Sequence, residues 1–539
     1  MKLLPAFLRS GFAVSAFLFV VSSSRAASPS TVEQWAVWEL ELTGPKDGNP
    51  FVDVRFTTEF SNGSKTVEVD GFYDGDGVFR VRFMPDRVGT WRYVTKSNRW
   101  PLTGHTGAFN VTAAAKGNHG PVRVRNTYHF AYADGTPFKQ IGTTIYNWLD
   151  TPEDVQEQTL KTLATAPFNK ARMLITQQPT SFQKSFAPPR WPYAGQPPHA
   201  WDFTRFNPDF FSHYEKRLAQ LRDLGVEADL ILFNPYGKWG FEALDATGDE
   251  RYVRYVVARF AAFRNVWWSM ANEYDFLRTK TEADWDRIGA LVQQCDPYNH
   301  LRSIHNGSLI FDHRKAWVTH ASIQNGSAVE EPGRAELYRD AFRKPIVYDE
   351  VKYEGRSPYR WGNLSGEEMV HRFWCGTVAG TYVGHGDYFF TTVEDTWTSF
   401  GGKLSGQSAP RLAFLRKILE DSPAEGIEPI DRWQDPRVGG KSGEYYLMYF
   451  GRETSTAWPF RLYKNGVADG MRFKIEVIDT WAMTITPVEG EFVAKKASNY
   501  DFLDANGRAV ALPAKPGMAL RIRRVGAAGP AGKPSTPVD

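Results

Sequence analysis

Residues 265–275 read Asn265-Val-Trp-Trp-Ser-Met-Ala-Asn-Glu-Tyr-Asp275. An apolar run of strand length stops there at a carboxylate, Glu273, with Asn272 directly before it. A second run, Lys344-Pro-Ile-Val-Tyr-Asp-Glu350, stops in the same way. Carboxylates at the C-terminal ends of two separate strands suit cleavage of a glycosidic bond. One acts as proton donor and base, the other as nucleophile or as the base for water. In a (β/α)₈ barrel such strand ends meet at one mouth, so the two runs together predict that fold and that chemistry.

Outward from these runs, residues 119–422 alternate short apolar strands with amphipathic helices, the texture of an α/β fold with parallel strands. The predicted strands are Gln140–Ile145, Lys170–Ile175, Ala228–Phe233, Val266–Ala271, Leu301–Ile304, Val318–Ile323, Pro345–Tyr348 and Thr381–His385. Eight strands with crossover helices over this length match a TIM barrel. No glycine-rich phosphate loop follows the first strand, which weighs against an open doubly wound sheet. Thr151-Pro-Glu-Asp154 and Ser365-Gly-Glu-Glu368 resemble capping boxes, Asn207-Pro208 supplies a cap with proline at the first turn, and Gly225 marks a helix end.

On either side the pattern changes to period-two alternation with Gly/Asp/Asn turns. Residues 28–118 and 423–524 therefore read as two small all-β sandwiches flanking the (β/α)₈ TIM barrel. Tyr73-Asp-Gly-Asp-Gly77 resembles part of a calcium loop but lacks the other ligands, and reads better as a hairpin turn. Residues 525–539 have the composition of a disordered tail. Residues 1–26 have the pattern of an export signal: Lys2 and Arg9, the apolar run Gly11–Val21, then Ser24-Arg25-Ala26. That run is short of the ~20 residues a membrane span needs, so a secreted or periplasmic protein with no membrane span is expected. A net charge of +3 without a lysine or arginine cluster argues against a nucleic-acid partner. The two cysteines, Cys295 and Cys375, fall on the predicted fourth and seventh helices, too far apart to pair. No Cys/His spacing resembles a zinc site, and no metal is expected.

The candidate site gathers at the predicted strand ends. Asn272 stands where an amide would hydrogen-bond a sugar 2-hydroxyl next to the acid Glu273. For the partner carboxylate, Glu350 competes with Asp349, since side chains alternate along a strand and only one of the two should face the mouth. Glutamate's longer reach favours Glu350, and Glu354 lies farther along a loop. Arg172 in the second strand is placed to keep a carboxylate ionised. His305-Asn306, His320, Gln324 and His385-Gly-Asp387 fall at the predicted ends of strands five, six and eight. Tyr146, Trp148, Tyr236 and Trp239 end strands one and three and would form walls on which a sugar stacks; the insert Gln177–Asp202 would cover one side of the cleft. The expected partner is a carbohydrate substrate. The competing reading is a non-catalytic carbohydrate-binding protein with an inactive barrel, which has no need of both carboxylates.

Several segments resemble the apiosidase-like, clan A glycoside hydrolases: Ile231-Leu-Phe-Asn-Pro-Tyr-Gly-Lys-Trp-Gly240, Arg264–Asp275 and Tyr348–Gly355. His385-Gly-Asp387 and Gly401-Gly-Lys-Leu-Ser-Gly-Gln-Ser408 resemble the end of the same barrel domain, and the flanking β segments are similar to those of one bacterial subgroup. The resemblance implies a (β/α)₈ barrel, no cofactor, and retention of configuration through a glycosyl-enzyme intermediate. It places the acid/base after strand four and the nucleophile after strand seven, matching Glu273 and Glu350. The clan's aromatic residue after strand eight is not evident at His385-Gly-Asp387. Some relatives use an aspartate in the pair, which keeps Asp349 open.

Overall fold

Eight parallel strands close around one axis in the middle of the chain: β1 (Gly142–Thr144), β2 (Lys170–Leu174), β3 (Glu227–Phe233), β4 (Val266–Ala271), β5 (Arg302–Ser303), β6 (Ala321–Gln324), β7 (Ile346–Glu350) and β8 (Tyr382–His385). Their order is β5-β4-β3-β2-β1-β8-β7-β6, and a parallel bridge between His305 and Ser322 brings β5 back against β6. The computed structural model describes residues 30–176, 188–198, 200–237, 239–389 and 396–526. The predicted export signal, nearly all of the predicted tail, and residues 177–187 and 199 of the insert lie outside them.

Among the described residues, seven helices of 11 residues or more pack around the strands: α1 (Glu153–Leu163), α2 (Pro208–Asp223), α3 (Ala246–Phe260), α4 (Glu282–Cys295), α5 (Pro332–Phe342), α6 (Gly366–Val378) and α7 (Ser408–Glu420). No helix follows β5; residues 304–320 cross to β6 as a loop. Asn207 and Ser365 cap α2 and α6 as predicted, each accepting from a backbone N–H of the first turn. Thr151 instead donates to the Trp148 carbonyl, and a full capping box forms at Thr281 and Asp284. Gly225 takes the left-handed conformation (φ 71°) that ends α2. Cys295 on α4 and Cys375 on α6 are free thiols.

The barrel interior is layered. At its N-terminal end the antiparallel hairpin Val122–Arg125/His129–Tyr132 inserts Phe130 among Phe138, Trp267, Leu301 and Val347. Burying one such aromatic contributes about 1.5–3 kcal/mol, so this plug closes one end and leaves the other to the site. Above it lies an ionic layer. Lys170 bridges Asp229 and Asp349, each at 2.7 Å and all at most 2% exposed.

The flanking β regions each have their own core. In the N-terminal one, a five-stranded and a three-stranded sheet enclose Trp38, Phe60, Phe83, Trp91 and Phe109. Arg82 of that region reaches the barrel helices, donating to Glu215 on α2 and to the Arg259 carbonyl on α3. Tyr73–Gly77 is a hairpin turn with Gly75 and Gly77 at positive φ, and its Asp74 carboxylate is held by Arg80 and Arg259. The C-terminal sheets pack on Phe473, Phe492, Leu520 and Ile522. They meet the barrel where Trp374 on α6 stacks on Tyr449. Among the described residues no helix is long and apolar enough to cross a membrane.

Candidate active site

Strand β4 ends at Ala271, and the chain turns away at Glu273. Asn272 still donates its backbone N–H to Phe233 of β3 (3.0 Å), but Glu273 adopts the left-handed region (φ 46°, ψ 54°) and opens a 3₁₀ turn over Tyr274–Phe276. A non-glycine residue held there costs about 1–3 kcal/mol, and the turn brings the Glu273 carboxyl to the mouth. Tyr236 donates to its Oε2 at 2.5 Å and Gln324 Nε2 to its Oε1 at 3.0 Å.

Strand β7 departs from the predicted alternation. Ser322 pairs with Val347 and Gln324 with Glu350, so three residues on β7 advance against two on β6. Such a bulge re-aims side chains. Asp349 and Glu350 therefore both turn inward, and the expectation that only one could do so fails at this bulge. They sit at different depths. Asp349 (2% exposed) accepts from Lys170 on Oδ1 and from Ser322 on Oδ2, the latter at 2.5 Å. Glu350 (4% exposed) is nearer the mouth. Its Oε1 accepts from the Tyr146 hydroxyl, and its Oε2 from Tyr353 (2.6 Å) and the Trp361 indole (3.3 Å).

Two hydrogen-bonded paths join Glu273 to Glu350. In one, Asn272 Nδ2 donates to the Tyr236 hydroxyl (2.8 Å), and Asn272 Oδ1 lies 3.4 Å from the Tyr146 hydroxyl. In the other, Gln324 Oε1 lies 3.1 Å from His305 Nε2, which is 3.5 Å from Glu350 Oε1. Arg172 supports both carboxylates indirectly: it donates to Asn272 Oδ1 (3.1 Å) and lies 3.7 Å from Glu350. Asn306 holds the backbone of Gln324 through both ends of its amide.

These surroundings push the two carboxyls apart. Burial and the Glu350 charge raise Glu273 above the ordinary glutamate range, against the hydrogen bonds from Tyr236 and Gln324. Burial acts the same way on Glu350, but His305, Arg172 and the Tyr146 hydroxyl outweigh it and hold Glu350 low. One group that keeps a proton beside one that sheds it is the division an acid and a nucleophile require.

Not every residue expected here lies here. Tyr146 is buried with its hydroxyl on Glu350, so it orients a carboxylate rather than walls a cleft. Trp148 is fully buried under the Arg217 guanidinium and packs in the core. His320 precedes β6, which starts three residues later than predicted. It therefore sits at the plugged end, edge-on to Phe130 and Trp267, with burial pushing it down to about 3. His385 stacks on Phe168 (4.8 Å) and is likewise pushed down to about 3 by burial. Asp387 accepts from the N–H groups of Ser405 and Gly406, and burial pushes it up to about 7. With Glu354, which accepts from Gln407 and Ser408, it anchors the start of α7. Trp239 lies at the rim, its ring 4.7 Å from Trp191 and its carbonyl accepting from Trp201. Lys170, Ser322, Tyr353 and Trp361 were not anticipated; the last two belong to the loop after β7. Among the described residues no group of three His, Cys, Asp or Glu could hold a metal ion.

Residues 124–399 match the family model described as apiosidase-like, catalytic domain, which is just over half of the chain. The chain belongs to the apiosidase-like family. This apiosidase-like barrel is a glycoside hydrolase catalytic domain, flanked by matches to two models described as domains of unknown function, DUF5060 at residues 31–98 and DUF5605 at 433–523. The whole chain is similar to a Bacteroides vulgatus ATCC 8482 protein provisionally named a glycoside hydrolase. Identity is 41%, over 92% of this chain and 100% of that one, with a TM-score of 0.89. A family 5 glycoside hydrolase from the same organism shares the fold at 14% identity, over 75% of this chain and 93% of its own, with a TM-score of 0.57. No curated protein matches the chain.

Proposed function

We propose that this glycoside hydrolase retains anomeric configuration, with Glu273 as acid/base and Glu350 as nucleophile. The observation that carries the reading is the opposite displacement of two linked carboxyls, Glu273 upward and Glu350 downward. Glu350 attacks the anomeric carbon as Glu273 protonates the departing oxygen; water, deprotonated by Glu273, then releases the sugar from the Glu350 ester. Asn272, fixed by Arg172 and Tyr236, is left to meet the sugar 2-hydroxyl. NMR of the first-formed product should show the anomer of the substrate. The opposite anomer would mean inversion and would remove the nucleophile role from Glu350. The family description puts apiosides in the first substrate panel.

The pH dependence follows from the same displacement. Glu350 must be ionised, so activity falls as pH drops through its lowered range; Glu273 must be protonated, so activity falls as pH rises through its raised range. Glu273→Gln should abolish the basic limb while cutting kcat most for substrates with poor leaving groups. A basic limb unchanged in that variant would assign the acid elsewhere.

A further inference from the structure

We propose that Asp349 is a positioning residue for this reaction: through Ser322 it obliges His305 to carry a proton on Nδ1, which fixes the ring with Nε2 toward Glu350 and Gln324. The inference rests on the reading of Glu350 as nucleophile, but its geometry is independent of it.

The Lys170 ammonium, 2.7 Å from Asp349 Oδ1, keeps this buried carboxylate ionised, with Arg172 Nε 3.9 Å from Oδ2. An ionised carboxylate only accepts. The single hydroxyl proton of Ser322 therefore goes to Asp349 Oδ2 at 2.5 Å. That leaves only lone pairs on Ser322 Oγ to face His305 Nδ1 at 2.9 Å, so Nδ1 must be the donor. His305 is fully buried and cannot turn to water for a different partner. Its other nitrogen faces two further acceptors, Glu350 Oε1 at 3.5 Å and Gln324 Oε1 at 3.1 Å, the latter on the amide that holds Glu273, so Nε2 donates as well and both ring nitrogens carry protons. Asp349 thus touches neither sugar nor scissile bond, yet sets the face that His305 presents to Glu350. The β7 bulge is what allows this, because it turns Asp349 inward beneath Glu350 instead of away from it.

Ser322→Ala separates this role from plain packing, since it leaves the Lys170–Asp349 pair in place and removes one oxygen. Loss of this orienting hydrogen bond should lower kcat by about 10-fold, with KM nearly unchanged. The acid limb of the pH profile should move to higher pH, because a misoriented His305 no longer helps hold Glu350 low. Ser322→Thr, which keeps the hydroxyl, should restore most of kcat and return the acid limb. Independently of any substrate, ¹⁵N-histidine NMR of the wild-type protein, assigned with His305→Gln, should show a proton on His305 Nδ1. An unprotonated Nδ1, or a Ser322→Ala enzyme with unchanged kcat and acid limb, overturns the proposal. If hydrolysis by Glu350 itself were refuted, the NMR result would still decide the hydrogen-bond order.

Discussion

Glu350→Gly should lose several powers of ten in kcat, as expected when a covalent nucleophile is removed, and azide should restore part of the loss as a glycosyl azide of inverted configuration. The vacated volume lies beneath the position from which Glu350 attacks, so a small anion can approach the same face of the sugar. Glu273 is still present to protonate the leaving group, and only one displacement takes place, which is why configuration inverts. Asp349→Gly should behave differently. Its carboxylate is committed to Lys170 and Ser322 one layer farther in, so removing it disturbs His305 but opens no path to the anomeric carbon. Rescue with inversion in the Asp349 variant and none in the Glu350 variant would reverse the assignment. Substrates with activated leaving groups should be used throughout, so that the first step is not limited by protonation.

Why the sequence puts Glu273 and Glu350 at strand ends but misplaces some of their neighbours follows from which features are local. A strand of buried residues that ends in Asn-Glu carries its own signature, and so does the eightfold alternation of strands and helices. The depth of a side chain in the barrel does not. The predicted strand Val318–Ile323 holds His320 in its first half, which does not fit the assignment of that histidine to the strand's C-terminal end; the strand begins at Ala321, so His320 lies before it, at the opposite end of the barrel. The inward turn of both Asp349 and Glu350 depends on a register shift against β6, which needs two strands to exist. Tyr353 and Trp361 reach Glu350 because the loop after β7 folds back, with Tyr353 N–H bonded to the Trp361 carbonyl; nothing periodic marks them. The missing helix after β5 is equally hidden, since the chain from 304 to 320 keeps the apolar content of a helical crossover but runs to β6 as a loop.

Lys170→Met should destabilise the folded protein by about 3–5 kcal/mol, the cost of leaving a buried charge without its partner. Methionine fits the volume and the nearby Trp267 ring, 5.2 Å from the ammonium, so packing is nearly conserved and the loss is electrostatic. What remains is a pair of carboxylates, Asp229 and Asp349, with the Arg172 Nε no closer than 3.7 Å to either. Two consequences distinguish this from a packing defect. Adding Asp349→Asn to Lys170→Met should recover part of the stability, because the second change removes one of the stranded charges. The pH dependence should also change. Lys170 and Arg172 hold Asp349 below the ordinary aspartate value of 3.8 in the folded protein, against the opposing effect of burial. A carboxylate lowered on folding stabilises above its unfolded pKa, and that stabilisation fades as pH falls through the folded one. The gap between wild type and Lys170→Met, measured by urea unfolding, should therefore be widest near neutrality and shrink in acid. A gap that stays constant with pH, or a double variant no more stable than the single one, would mean that the ionic layer at the centre of the barrel contributes through shape alone.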